Sequence, residues 1–223
     1  IEGEDVRAYL EKLIAQVMAD EKIQVLTDAK IVGAEGFKGN FATDVMVGSE
    51  TQRIEHGVII VATGATEYKP KEFLYGEDDR VVTQVELTDR LEGKGSSDLS
   101  TVVMIQCVGS RNEENENCSR ICCQSAIKNA LHIRKLNPEA QVFILYRDIR
   151  AYGMLEDYYT EARKQGVIFI RFDKDAPPQV ESSSQGILVK VKDHILQKDL
   201  EITADLLTLS AGMTAQDTDE MSR

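Results

Sequence analysis

Residues 101–146 read TVVMIQCVGSRNEENENCSRICCQSAIKNALHIRKLNPEAQVFILY, and this stretch decides the fold. From Thr101 to Gln106 the chain is almost unbroken apolar, as a strand covered on both faces requires. A polar loop over 108–117 follows. Residues 119–136 then place Ile127, Ala130 and Leu131 on one helical face, and Gln141 to Tyr146 is a second apolar run. Strand, helix and strand in that order predict parallel pairing, because a crossover helix returns the chain to the same end of the sheet.

Toward the C-terminus the alternation continues. A helix is predicted over 154–165, with Leu155, Tyr158, Tyr159 and Ala162 on one face, then a strand from Val167 to Phe172. The resulting βαβαβ series predicts a parallel sheet with helices on its faces. Residues 179–203 alternate as an antiparallel meander broken at Ser182-Ser183-Ser184, and Asp205 to Ser210 reads as a further buried strand ending in Ala211-Gly212. The polar tail beyond is expected to fray.

Toward the N-terminus, a helix from Gln84 to Leu91 precedes a turn-rich stretch, Glu92 to Asp98, and a change of texture near 70–80 marks a domain boundary. Residues 4–20 carry Val6, Leu10, Leu13, Ile14, Val17 and Met18 on one stripe of an amphipathic surface helix. Strands are expected over 22–33 and 41–48, with Gly36 and Gly39 in the turn. Another pair is expected over 50–62, where Val58-Ile59-Ile60-Val61 reads as a strand buried on both faces that ends in Ala62-Thr63-Gly64.

With 223 residues there is room for one large domain or two small ones. The 26 Lys and Arg stand against 38 Asp and Glu, a formal charge of −12, which argues against a nucleic acid or an anionic membrane surface as partner. No apolar run approaches the roughly 18 residues of a membrane span. No basic-then-apolar leader opens the sequence, so the expected location is the cytoplasm. His56, His132 and His194 are scattered without ligand spacing.

Cys107, Cys118, Cys122 and Cys123 fall within 17 residues, and the rest of the chain has no cysteine. A disulfide framework is the weaker cause in a leaderless acidic protein. Cys107 closes a strand, Cys118 ends the polar loop, and Cys122 and Cys123 open a helix whose N–H groups favour thiolates. The spacing suits a cubane iron–sulfur cluster better than zinc, which prefers paired C-x2-4-C knuckles, but zinc and redox-active thiols both stay open. The turn after the first strand, Cys107-Val108-Gly109-Ser110-Arg111, lacks the G-x-G-x-x-G loop of a dinucleotide site.

Taken together, IEHGVIIVATGATEYKP (54–70), LYGEDDRVVTQVEL (74–87), VVMIQCVGSR (102–111), CSRICC (118–123), AIKNAL (126–131), LYRDIRAYG (145–153) and EDYYTEARKQGVIFIR (156–171) resemble the heterodisulfide reductase A-subunit family, flavin and iron–sulfur proteins on a thioredoxin-reductase-like core. The resemblance implies an α/β fold. It comprises a three-layer nicotinamide-binding-like (Rossmann-type) parallel-sheet domain plus part of an FAD domain with antiparallel strands. It further implies a partial FAD-binding domain over 1–75, an inserted Rossmann-like domain over 76–206, and a return strand end and tail over 207–223.

The family likeness implies that Cys107, Cys118, Cys122 and Cys123 bind a 4Fe-4S cluster, and that Ala62, Thr63, Gly64, Ala211 and Gly212 approach FAD. The implied function is electron transfer between FAD and the cluster, toward partner subunits that reduce a disulfide. A ferredoxin, a hydrogenase or a formate dehydrogenase module are the further partners, homodimerisation stays open, and no residue is assigned a catalytic role. The family's Gly-rich FAD loop and its ferredoxin-like parts find no match in this sequence, so the FAD site is expected to be incomplete here. Loop 112–117 is also more polar than the family leads one to expect. Two other readings stand beside this one. One is a zinc-stabilised interaction module. The other is a pyridine-nucleotide disulfide oxidoreductase using Cys122 and Cys123, disfavoured by the strain of a disulfide between adjacent cysteines and by the missing glycine loop.

Overall fold

The computed structural model describes residues 5–93 and 99–216. Its chain separates into two compact units, residues 2–64 with 215–223, and residues 65–214. Positions 94–98 of the expected turn and 217–223 of the expected frayed tail lie outside the described residues.

In the first unit, helix α1 (Val6–Ala19) starts where the Asp5 carboxylate accepts the N–H groups of Arg7 (2.9 Å) and Ala8 (3.3 Å), satisfying two of the orphan donors of a first turn. None of its residues is buried. Strands β1 (Ala29–Phe37), β2 (Asn40–Val47) and β3 (Glu50–His56) form an antiparallel sheet in the order β1-β2-β3. The first strand begins at Ala29, later than the predicted 22, and runs through Gly36, so the turn lies at 38–39. His56 closes the sheet edge, its ring 2.7 Å from Thr43 Oγ1 and stacked on Phe41.

The predicted buried strand over 58–61 is corrected. Residues 58–64 adopt no strand, and Val58, Ile59, Ile60 and Val61 are exposed. An apolar β-branched run becomes a central strand only with a neighbour on each edge, and the three strands of this unit pair with one another alone.

The second unit is built on a five-stranded parallel sheet, β5-β12-β6-β7-β8. Its strands are β5 (Val81–Thr83), β6 (Thr101–Val108), β7 (Gln141–Tyr146), β8 (Ile168–Arg171) and β12 (Leu206–Ala211). The helices are α2 (Gln84–Glu92), α3 (Cys122–Leu136) and α4 (Leu155–Lys164), and β9 (Gln179–Ser183), β10 (Gly186–Asp193) and β11 (Lys198–Ala204) form the meander. A short pair, β4 (Ala65–Glu67) with β13 (Met213–Ala215), completes the elements.

Successive side chains of a strand point to opposite faces. Val102 and Met104 enter one apolar cluster with Leu87 of α2, Ile127 and Ile133 of α3 and Ala162 of α4. Val103 and Ile105 enter another with Ile187, Val189 and Val191 of β10. The layers are therefore helices, parallel sheet and antiparallel meander. This corrects the expectation of helices on the sheet's faces: the meander takes one face because three of its alternate residues are fully apolar and inward. At about 1.5–3 kcal/mol for each buried aliphatic side chain, that apolar contact outweighs any surface pairing along its edge.

Two polar devices tie the layers together. Thr83 and Glu86 form a reciprocal capping box that starts α2. Behind it, Gln84, Gln106, Asn129 and Ser210 are all buried. Asn129 Nδ2 donates to Gln84 O (3.1 Å) and Oε1 (2.8 Å), while Gln84 Nε2 and Gln106 Nε2 donate to Ser210 Oγ at 3.1 and 2.7 Å.

At the rim, Asp78 receives Arg80 Nη2 at 2.7 Å and the Ser182 hydroxyl at 2.7 Å, and Arg80 Nη1 reaches the Ser183 carbonyl at 3.0 Å, linking the start of β5 to the end of β9. The Arg80 side-chain hydrogen bond first, then those of Ser182 and the Arg80 backbone, hold the Asp78 carboxyl well below its ordinary 3.8. A carboxylate lowered by folding stabilises the fold above its unfolded value and loses that contribution as pH falls through the folded one. Acidification below about pH 4 is therefore expected to lower the melting temperature, and Asp78→Asn to flatten that acid dependence by a few degrees. Melting curves of both proteins between about pH 3 and 7 check it, and parallel curves would refute it.

Candidate functional site

The site grows from the carboxyl end of β6. Pairing with β12 runs in register from Leu206 to Leu209 and then shifts. There Cys107 takes a left-handed backbone, φ 64°, as do Gly109, Arg111 and Arg120. At Gly109 a Cβ would overlap the Tyr68 ring, so glycine is required both for its conformation and for close approach. The asparagines of the polar loop knit it together. Asn112 Oδ1 accepts Asn115 N–H (2.7 Å), Asn115 Nδ2 donates to Gly109 O (3.1 Å), and Arg111 N–H reaches Asn117 O (3.3 Å). Short Asn side chains suit such turns.

Helix α3 begins at Cys122, three residues after the predicted start, because Arg120 is left-handed. Its N-cap, Ile121, makes no side-chain hydrogen bond. Cys122 and Cys123 thus occupy a first turn that no side chain closes.

All four cysteines are free thiols, and Cys123 is buried. Cys107 Sγ lies 3.8 Å from Arg111 Nη1, and Cys118 Sγ accepts Arg120 N–H at 3.4 Å. Cys122 donates to Ala211 O (3.4 Å) and Cys123 to Asp148 O (3.8 Å). Burial first, then the neighbouring Cys123, Cys107 and Cys118, pushes the Cys122 thiol up to about 12. Cys123 is also raised, by burial foremost, with Cys107 and Cys118 adding and the Arg150 backbone N–H and the Arg111 charge opposing. Burial works against the Arg111 charge, yet Cys107 and Asp148 raise its pKa overall, and Arg111 Nη1 meets Asp148 Oδ2 at 2.6 Å.

Among the described residues, no three His, Cys, Asp or Glu side chains stand in metal-holding geometry, since each thiol is turned to its own partner. The donor set nonetheless fits a thiolate-bound centre in type and place. Four soft ligands lie at one loop–helix junction, and a bound cation would favour their thiolate forms.

The residues expected to approach a flavin divide. Ala211 is buried and its carbonyl accepts the Cys122 thiol. Gly212 packs so closely on Ser119 that a Cβ would stand 3.0 Å from its hydroxyl, and Gly212 O accepts Tyr68 N–H at 2.8 Å. The structure thus brings Ala211 and Gly212 together with the cysteines. Ala62, Thr63 and Gly64 lie exposed in the segment 58–64 of the other unit.

Three contributors escaped the sequence reading. Ser119 Oγ accepts Met213 N–H at 2.7 Å, Asp148 anchors Arg111, and Arg147 donates to Ser110 O and Arg111 O, both at 2.9 Å. The sole signal available was the position of Arg147 just past the strand that ends at Tyr146.

No family model matches the chain. It is 34% identical over 219 residues to the A subunit of the Ferredoxin:CoB-CoM heterodisulfide reductase of Methanosarcina acetivorans, covering 78% of this chain and 27% of that protein. It is 39% identical over 181 residues to the A subunit of the H(2)/formate:CoB-CoM heterodisulfide,ferredoxin reductase of Methanococcus maripaludis, covering 73% and 27%. The chain thus spans about a quarter of the length of these relatives. Among solved structures, the FAD-bound cadaverine monooxygenase DfoA of Erwinia amylovora superposes with a TM-score of 0.55 at 9% identity, over 98% of this chain and 60% of that one. The latter likeness supports the Rossmann-type fold. No described helix is long and apolar enough to cross a membrane.

Proposed function

We propose, on the premise that this chain is homologous to the heterodisulfide reductase A-subunit family, that its cysteine loop is an electron-transfer centre of a flavin and iron–sulfur oxidoreductase. Cys107, Cys118, Cys122 and Cys123 would hold a 4Fe-4S cluster. Bound there, such a cluster supplies reversible one-electron storage. The observation that carries this reading is the placement of four free thiols at one loop–helix junction, where α3 opens without a side-chain cap.

The chain's own residues have definable tasks. Arg111, paired with Asp148 and facing Cys107, offsets thiolate charge. Arg147 fixes the carbonyls of Ser110 and Arg111 and hence the direction of the loop. The first-turn N–H groups of α3 favour anionic sulfur, and Ser119 ties the loop to the strand end at Met213.

In the longer protein, Ala62, Thr63, Gly64, Ala211 and Gly212 would approach FAD. The assignment follows of 1–75 to a partial FAD-binding domain, 76–206 to the inserted domain with the cluster, and 207–223 to the return toward the flavin. Partner subunits of the heterodisulfide reductase type, a cytoplasmic location and an electron carrier such as ferredoxin belong to the same reading.

Anaerobic reconstitution with iron and sulfide is expected to load about four iron atoms per chain and give a chromophore bleached by dithionite. A chain that takes up zinc alone, with no reducible chromophore, overturns the proposal.

A further inference from the structure

Parallel pairing sets the carboxyl ends of neighbouring strands side by side, and here Tyr146 is in register with Arg171. Arg147 leaves β7, Arg171 closes β8 and Lys174 follows within the next turn, so three cations share one edge of the sheet. They border a cleft of about 230 Å³ together with Arg111. A second cleft, of about 220 Å³, also has Arg147 and Lys174 on its wall and extends to Cys107 and Gly109. The basic rim is thus continuous with the cysteine loop.

Its charge is partly compensated. Four cations, Arg111, Arg147, Arg171 and Lys174, stand against two carboxylates in the cleft, Asp148, which pairs with Arg111 and Arg150, and Asp173, 3.5 Å from His194. Arg147 donates to carbonyls, and Arg171 Nε to the Arg147 carbonyl. Among the described residues, Arg147, Arg171 and Lys174 have no carboxylate within ion-pair distance. On a chain of net charge −12, a local positive rim attracts an acidic partner to that edge, while the remaining surface turns that partner away.

Beside the rim stands the β10–β11 hairpin tip. Ile195 and Leu196 are 69% and 63% exposed, yet Asp193 Oδ1 accepts both of their N–H groups, at 2.7 and 2.9 Å. The next residue back, His194, donates its N–H to the Arg171 carbonyl at 2.7 Å. Two apolar side chains on a backbone-held tip, flanked by cations, have the make-up of a protein-docking anchor with a polar surround.

A small phosphorylated ligand is the weaker occupant. Phosphate recognition at a strand end draws on free backbone N–H groups. In the loop after β6, those of Ser110, Arg111 and Asn112 are already bonded to Cys107 O, Asn117 O and Asn115 O.

We infer that this rim and hairpin tip form the docking face for an acidic electron-carrier protein, which would meet the chain beside Cys107. The inference rests on the reading of the cysteine loop as a redox centre, and its test is separable from that reading because it measures binding on the metal-free chain.

The probe is a small acidic two-cluster bacterial ferredoxin in its oxidised form, titrated calorimetrically at low and at about 0.2 M salt. Wild-type chain is expected to bind it in a salt-sensitive manner. Arg171→Glu/Lys174→Glu should weaken binding about tenfold or more at low salt and flatten the salt dependence, with an unchanged melting temperature. The same two-charge reversal on the helix layer, Lys128→Glu/Lys164→Glu, should leave affinity within about twofold, since screening confines exposed charges to their surroundings. Leu196→Ser should weaken binding without altering its salt dependence.

Equal affinities for the rim variant and the helix-layer variant overturn the inference. So does binding of inorganic phosphate in the cleft without any ferredoxin binding. Four iron atoms bound with no rim-dependent docking defeats the docking face alone, and rim-dependent docking on a chain that takes up only zinc supports that face while defeating the redox reading.

Discussion

Cys122→Ser is expected to cut iron uptake on anaerobic reconstitution from about four atoms per chain to less than one, leaving the metal-free fold intact. Cys122 is the first residue of α3, adjacent to Cys123, and its thiol is raised by burial first and then by Cys123, Cys107 and Cys118. A serine hydroxyl is a hard, weakly acidic donor and replaces a soft thiolate poorly. The same hydroxyl can still donate to Ala211 O, the partner of the present thiol. The melting temperature of the metal-free variant should therefore stay within about 2 °C of wild type, less than 1 kcal/mol for a domain of this size. Iron analysis beside a melting curve reads both halves. Full iron retention would remove Cys122 from the ligand set, and a collapsed melting temperature would show that the thiol serves the core.

The largest stability loss is expected from Asn129→Leu, about 3 kcal/mol by urea denaturation and roughly 6–12 °C in melting temperature. Leucine keeps the branched shape and heavy-atom count of asparagine with bulkier methyl groups, so no cavity is left and a small overpacking cost is added. What is lost is polar. Gln84 O and Oε1 would each lose a donor inside a region where Gln84 and Asn129 are buried, while the Thr88 hydroxyl keeps Gln84 O as an acceptor at 2.9 Å. A buried acceptor stripped of its partner costs about 1–3 kcal/mol. Because the network continues through Ser210 to Gln106, Asn129→Leu and Ser210→Ala should be non-additive. A loss below about 0.5 kcal/mol would mean that Gln84 finds other partners.

The sheet was legible because its strands are apolar on both faces, and 101–106 and 141–146 admit few other readings. The cysteine site was legible for a different reason: four thiols crowd into 17 residues of a chain with no others. What escaped depended on tertiary partners. Val58 to Val61 has the composition of a central strand, but composition cannot say whether edges are available to pair with it, and here the run is exposed. The alternation of Gly186 to Asp193 announced a strand without saying that Ile187, Val189 and Val191 would cover one face of the sheet in place of a helix. The start of α3 was misplaced because no Ser, Thr, Asp or Asn caps it, and only the left-handed turn at Arg120 shows where it begins. Arg147 belongs to no motif, and its role comes from two carbonyls that fold back toward it.

That uncapped turn also bears on how the domain keeps its shape. A helix start lacking a side-chain acceptor is weaker than a capped one by about 1 kcal/mol, and α2 of the same unit has the full reciprocal cap that α3 lacks. An anionic cluster held by Cys122 and Cys123, as proposed, would take the place of the missing cap. On the proposed assignment, occupancy of the site and integrity of the helix would form one linked equilibrium: loading would tighten the fold, and stripping the site would loosen α3 from its first turn inward.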